Sequence, residues 1–147
     1  MKRTVTTVVL LAVLVASRSY GQDARQMVKL PEPMQEHMLS NMRDHLVSLN
    51  DIIAYVGDGK FDEAAKVAER RLGMSSLTAH DAAHMAPFFP KPMQDMGTSM
   101  HRAGSRLVIV LQDASVTPSL QSMQDVTRAL HEITSACTSC HAAYRIR

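Results

Sequence analysis

Apolar residues recur at helical spacing along four stretches of the chain, and no stretch shows the strict alternation that is typical of a strand. The first stretch, residues 34–56, carries two apolar files that each advance by seven residues. The files are Met42, Leu49 and Val56, and Leu39, Leu46 and Ile53. Polar residues such as Asp44 and Ser48 are predicted to face solvent. Glycines at the Gly57-Asp58-Gly59 turn predict the end of this helix.

A second helix is predicted over residues 61–72, with Asp62 as a candidate N-cap. Its inner stripe should contain Phe61, Ala64 or Ala65, Ala68 and Leu72. Residues 80–92 contain three prolines and are predicted to form a long irregular connection.

The third helix should run over residues 92–113. Gly97 and Gly104 weaken it intrinsically and therefore predict that a neighbouring element approaches closely. Its apolar stripe is Met93, Met96, Met100, Ala103, Leu107 and Val110.

The fourth helix is predicted to open at Thr117-Pro118, because proline is favoured in a first helical turn. Two apolar files again advance by seven residues. They are Met123, Leu130, Cys137 and Tyr144, and Val126, Ile133 and Cys140. Both cysteines therefore project from the same face as the apolar stripe, and a group attached to them would be held in the core.

Four helices without a strand predict an all-α fold. An antiparallel four-helix bundle is the natural arrangement, with a cofactor between the helices. Aromatic residues make up 4% of the chain and tryptophan is absent, so aromatic side chains cannot supply much of the core. The 11 methionines must fill it together with leucine, valine and alanine.

The N-terminus predicts export. A basic start precedes an apolar run over residues 8–16, and the small residues Ser19 and Gly21 mark a predicted cleavage after residue 21. A membrane-spanning helix needs roughly 20 apolar residues, far more than this run offers. We therefore expect a signal peptide over residues 1–21, a periplasmic location, and one mature domain over residues 22–147.

Signal removal would also change the charge of the chain. The whole sequence has 16 Lys and Arg residues against 14 Asp and Glu residues, a formal charge of +2. Cleavage would remove Lys2, Arg3 and Arg18 and no acidic residue, which turns +2 into −1. Such a chain lacks the basic surface that nucleic-acid binding requires. No other stretch is apolar and long enough to predict a membrane span.

Candidate chemistry lies at the end of the fourth helix, in Cys137-Thr138-Ser139-Cys140-His141. The pattern Cys-x-x-Cys-His is typical of covalent haem attachment, in which two thiols add across the porphyrin's vinyl groups and the histidine binds the iron. A structural disulfide, a redox-active dithiol and half of a zinc site are the alternatives. A thioredoxin-like dithiol would sit at a helix N-terminus after a strand, and no second Cys or His pair at finger spacing completes a zinc site. We expect one haem c, bound by both thiols.

These features resemble the cytochrome c-prime family, including its low-spin cytochrome c556 branch. The matching residues are the Cys-x-x-Cys-His motif followed by Ala142-Ala143-Tyr144-Arg145 and, after the first helix, Phe61-Asp62-Glu63-Ala64-Ala65. The resemblance implies an exported four-helix bundle with one haem near the C-terminus, carried by Cys137 and Cys140 with His141 as proximal iron ligand. The family often forms homodimers through its first two helices. Its members usually carry a tryptophan near the third helix, which this chain lacks.

In that family one position of the first helix faces the other side of the iron. A leucine there leaves the iron five-coordinate and suited to diatomic gases, whereas a methionine makes it six-coordinate and suited to electron transfer. The resemblance places Met42 at this position, with Met38 or no sixth ligand as alternatives. His37 and His45 lie near the same stripe, about a quarter-turn off the Met42 file.

The expected function is that of an electron carrier without enzymatic activity, which passes one electron at a time between redox partner proteins. Two alternatives stay open: a five-coordinate cytochrome that binds nitric oxide or carbon monoxide, and a copper-binding module. The copper alternative depends on a segment rich in soft and borderline metal ligands. These residues are His80, His84, Met85, Met93, Met96, Met100 and His101.

Overall fold

The computed structural model describes residues 23–147 and shows an all-α fold with almost no strand. Residues 1–22, which contain the predicted signal peptide and its cleavage site, lie outside the described residues. Five α-helices occur in the described range: α1 (Glu32–Gly57), α2 (Phe61–Val67), α3 (Ala82–Met85), α4 (Lys91–Val116) and α5 (Leu120–Ala143). None of the helices within residues 23–147 combines the length and the apolar character that a bilayer crossing needs.

The chain between α2 and α4 is made of short helical pieces. A π-helical segment, Ala68–Leu72, continues α2, and 3₁₀ turns lie at Met74–Leu77 and Ala86–Phe88 on either side of α3. Asp81 has φ +52°, a left-handed conformation that aspartate tolerates better than most residues. The irregular connection predicted from its prolines is therefore a compact series of turns.

Helix boundaries differ from the prediction at two caps. Asp62 does not cap α2. α5 begins later than Thr117-Pro118, because Ser119 and Ser122 form a reciprocal capping box. The Ser122 backbone N–H donates to Ser119 Oγ at 3.0 Å and the Ser119 N–H donates to Ser122 Oγ at 2.9 Å. This pairing satisfies two backbone donors that a helix N-terminus otherwise leaves without partners.

The core lies between α4 and its neighbours α2 and α5, with α1 packed on α2. The predicted inner stripe of α2 is confirmed, because Ala64, Ala65, Ala68 and Leu72 are all buried. Side chains from four elements meet at the centre of this core. The fully buried ones are Ile52, Leu72, Leu107, Leu111, Val126 and Ile133.

The buried face of α1 differs from the predicted one. Leu46 and Ile53 are 70% and 58% exposed, whereas Ser48 is fully buried and His45 is 7% exposed. Ser48 tolerates burial because its hydroxyl donates to the Asp44 carbonyl one turn earlier at 2.7 Å. The inner stripe of α1 is therefore His45, Ser48 and Ile52.

Two short strands that periodicity did not predict connect the beginning and the end of the described chain. β1 (Gln26–Met27) pairs in parallel with β2 (Tyr144–Arg145), with Gln26 opposite Tyr144. The Val28 N–H donates to the Arg145 carbonyl at 2.8 Å. The segment that shortly follows the Cys-x-x-Cys-His motif is thereby held against residues 26–28.

Gly104 lets α4 approach the end of the π-helical segment. A Cβ atom at this position would lie 2.5 Å from the Leu72 carbonyl oxygen and 2.9 Å from the Gly73 nitrogen. The predicted close approach is thus confirmed at Gly104. It is wrong for Gly97, where a Cβ would meet no protein atom within 4 Å.

Gly104→Ala should lower the free energy of unfolding by about 2 kcal/mol, because backbone atoms cannot move aside as a flexible side chain could. The matched control is Gly57→Ala, since a Cβ at Gly57 meets nothing within 4 Å and its φ is not positive. The control should change stability by less than about 1 kcal/mol, and in the stabilising direction. Urea unfolding followed by circular dichroism measures both variants. Equal stability of the two variants would show that the close approach is absent in solution.

Candidate cofactor site

A mostly apolar cavity of about 220 Å³ opens between α1, the turns of residues 73–90, α4 and the end of α5. Each of these elements contributes side chains that can bind a metal ion. The methionines among them are Met38, Met42, Met85, Met93, Met96 and Met100. Methionine is flexible and polarisable, and it adapts to irregular apolar surfaces.

The thiols of the sequence motif lie where the fourth-helix pattern predicts. Cys137 packs against the core cluster, and Cys137, Cys140 and His141 all line the cavity. They occupy the last two turns of α5, so all three project from one continuous helical scaffold. The His141 side chain is largely exposed, and the His141 carbonyl accepts a hydrogen bond from Arg25 Nη1 at 3.4 Å. The prediction that both thiols face the buried side of the helix is confirmed.

Both cysteines are free thiols with raised pKa values. Burial is the main cause for Cys137 and also for Cys140, where the neighbouring Cys137 adds to the effect. A redox-active dithiol requires the opposite environment, in which a helix N-terminus or a nearby cation stabilises a thiolate. Here the pair lies at a helix C-terminus. The environment therefore disfavours the dithiol alternative.

Met42 and Met38 lie on the α1 side of the same cavity, both half-buried. The structure thus brings the predicted distal-ligand candidates into one space with the motif. Gly97 lines this cavity as well, and the missing side chain there leaves room for a bound group.

Three histidines meet at one end of the cavity, and sequence reasoning did not bring them together. His45 of α1, His80 of the connection and His101 of α4 offer one ring nitrogen each, all within 4.8 Å of one another. The ring centroids of His45 and His80 are 4.7 Å apart, and those of His80 and His101 are 5.4 Å apart. The copper alternative paired His80 with His84 and with Met85, Met100 or His101. In the structure His84 is exposed and lies outside the cluster, which contains His45 instead.

Hydrogen bonds hold the His101 ring and the His80 backbone in place. His101 Nδ1 lies 2.9 Å from the Leu72 carbonyl oxygen and donates to it. The His80 carbonyl accepts from Asn41 Nδ2 at 3.2 Å, and His37 Nε2 lies 3.1 Å from the same oxygen. Ser76 Oγ lies 3.2 Å from His101 Nδ1. The close approach of α4 at Gly104 is what brings His101 to the Leu72 carbonyl.

Burial keeps the three histidines neutral at pH 7. It lowers the pKa of His45 from 6.5 to about 4, with His80 and His101 adding to the effect. Burial is also the first cause of the lowered pKa values of His80 and His101. The ring nitrogens without a proton are therefore available as ligands. An ordinary exposed histidine with pKa near 6.5 would be partly protonated at slightly acidic pH.

The residues present fit a covalently attached haem. Two thiols one helical turn apart and the adjacent histidine reach the cavity from α5, while soft thioether ligands and an apolar lining surround the rest. This donor set is the one that haem iron takes in c-type cytochromes.

Comparison with protein-family models, with curated proteins and with solved structures found no match. The resemblance carried by the two sequence motifs therefore stays a prediction. Support for a function of this chain comes from the cavity and the residues that line it.

Proposed function

We propose that this chain is an exported monohaem c-type cytochrome that carries single electrons between redox proteins. The observation that supports it is the convergence of Cys137, Cys140 and His141 with Met42 on one apolar cavity. A motif that occurred by chance would have no reason to share such a cavity with candidate iron ligands on another helix.

Each residue has a separate task in this proposal. Cys137 and Cys140 would hold the porphyrin through thioether bonds, and His141 on α5 would bind the iron. Met42 on α1 would supply the second iron ligand, with Met38 one turn earlier as the alternative. A bound haem would supply a one-electron iron couple, whose potential a thioether ligand raises. The apolar methionine lining would limit the access of water, which also tunes the potential.

The exposure of the motif supports exchange with a protein partner. Thr138, Ser139 and His141 are exposed, so this edge of the site faces solvent. Electron transfer needs close approach of the two cofactors but no substrate pocket and no acid–base group. A transient partner that docks over the end of α5 would meet the attached edge of the haem.

The four longest helical regions, α1, the α2 region, α4 and α5, are proposed to form the antiparallel four-helix bundle that the resemblance implies. A homodimer through the first two helices belongs to the same proposal. Exposed apolar side chains on α1 support it, since solvent-facing leucine and isoleucine close together are typical of contact surfaces. They are Leu46, Val47 and Ile53.

The absorption spectrum of the reduced protein tests this function against the gas-binding alternative. The chain is expressed with its own N-terminus in a host that attaches haem c, and carbon monoxide is then added at neutral pH. We expect a sharp, split alpha and beta pair that carbon monoxide leaves unchanged, because six-coordinate iron has no open position. A broad high-spin spectrum that shifts with carbon monoxide would contradict the carrier and favour a gas-binding cytochrome.

A further inference from the structure

We infer that His45, His80 and His101 form a binding site for one divalent transition-metal ion of the zinc and copper class. The three rings line the same cavity as Cys137, Cys140 and Met42, but the inference does not rest on the proposed electron-carrier function.

The spacing of the donor nitrogens suits such an ion. His45 Nε2 and His80 Nδ1 are 3.4 Å apart. Two imidazole nitrogens that bind one zinc ion tetrahedrally at about 2.0–2.1 Å must themselves be separated by roughly 3.3–3.4 Å. This pair therefore already has the separation of two ligands on one ion. All three donors lie within 4.8 Å of one another, so the third ring must move inward to complete the set.

A hydrogen bond to a backbone carbonyl sets the tautomer of His101. The Leu72 carbonyl accepts the proton of His101 Nδ1, which leaves His101 Nε2 with its lone pair free. A ligand histidine that donates its other ring nitrogen to a backbone carbonyl is the usual arrangement around zinc. His80 is held through its own carbonyl by Asn41 and His37. The three ligands thus come from α1, from α4 and from a turn that hydrogen bonds hold in place.

The chemistry of the donor set selects the class of ion. Three neutral imidazoles suit zinc, copper and nickel, whereas magnesium and calcium require oxygen ligands. Burial holds all three rings neutral, so an ion need not displace a proton from its ligand nitrogens. Three protein ligands leave a fourth position for water or a small ligand, as in open zinc sites. All three histidines line the cavity.

The competing explanation is a hydrogen-bonded trio of core histidines that binds nothing. Ser76 supports this explanation, since its hydroxyl lies within 3.5 Å of His80 Nδ1 and 3.2 Å of His101 Nδ1. However, the His45 and His80 nitrogens face each other with a separation that is long for a hydrogen bond.

Zinc titration of the untagged, chelator-treated holoprotein tests the inference. Isothermal titration calorimetry should show one zinc ion per chain. His80→Ala and His101→Ala should each weaken binding by at least about 10–100-fold, the loss that even a supporting residue of a metal site produces. His84→Ala is the matched control, because His84 lies on the same connection but is exposed and outside the cluster. The affinity of the His84→Ala variant for zinc should equal that of the unmodified protein.

X-ray absorption at the zinc edge uses only the unmodified protein, so its result does not depend on whether the variants fold. The expected spectrum has imidazole scattering from three nitrogen ligands at about 2.0 Å. The inference would be overturned by a shell of water oxygens around the zinc. It would also be overturned if neither zinc nor copper bound stoichiometrically, or if all variants had the same affinity for zinc. The haem spectrum is recorded on the same samples. If His45→Ala changes that spectrum while the unmodified protein binds no zinc, His45 serves the haem iron instead.

Discussion

Replacing both Cys137 and Cys140 by serine should leave the exported chain without any covalently bound haem. The thiols are the atoms that would form the thioether bonds, and a serine hydroxyl cannot replace them in this addition. The sequence has two cysteines in all, so no other residue could supply a thiol. Haem staining after denaturing electrophoresis, normalised to the amount of chain by immunoblot, measures the loss.

Ser139→Ala is the matched control for the cysteine variants, because Ser139 lies between the thiols yet is exposed. Its hydroxyl donates only to the Ser135 carbonyl one turn earlier, at 2.8 Å. Haem content should therefore stay at the level of the unmodified protein. If the double cysteine variant kept its haem through denaturation, attachment would not involve this motif.

Met42→Leu should convert the iron from six-coordinate to five-coordinate. Leucine fills nearly the same volume but offers no lone pair, so the fold should be retained while the distal bond is lost. The reduced protein should then bind carbon monoxide, and its midpoint potential should fall by on the order of 0.1 V, part of the ~0.8 V range over which axial ligands tune haem. Optical redox titration and a carbon monoxide difference spectrum measure the two effects.

Met38→Leu is the control for this experiment, since Met38 lines the same cavity from the same helix. This variant should keep the split alpha and beta bands and should not bind carbon monoxide. The reverse result, with high-spin iron in Met38→Leu and no change in Met42→Leu, would assign the distal position to Met38. No change in either variant would show that neither methionine binds the iron.

α5 could be predicted well because its polar and apolar residues separate cleanly. Val126 and Ile133 are fully buried, and Cys137 and Cys140 follow them in phase toward the cavity. One apolar stripe on an otherwise polar helix leaves a single way to bury it. The Cys-x-x-Cys-His motif and the apolar stripe therefore predicted the same buried face of α5 from sequence alone.

The buried face of α1 could not be predicted in this way, because apolar residues occur on all sides of the helix. Leu46, Val47 and Ile53 are exposed although their spacing is helical, and Ser48 is buried although it is polar. A hydrophobicity pattern does not show that the Ser48 hydroxyl finds its hydrogen-bond acceptor within its own helix. A stripe drawn through His45, Ser48 and Ile52 would have shown the buried face, but nothing in the periodicity favours it.

The histidine cluster depends on contacts that are distant in sequence. His45 and His101 lie on different helices, and His80 lies in a turn without periodicity. The glycine signal at Gly104 indicated a close approach, but its partner, the Leu72 carbonyl, is set by the π-helical turn. Pairing of β1 with β2 is equally non-local. Local sequence patterns carry no information about such partners.

The most direct test of a covalent haem in this chain is the intact mass of the coloured protein under denaturing conditions. The chain is exported from a host that attaches haem c, purified without reduction and unfolded in acid before mass spectrometry. The proposed cytochrome should show one haem mass added to the polypeptide and no thiol that an alkylating reagent can modify. A polypeptide mass without haem, with both cysteines alkylated, would contradict it.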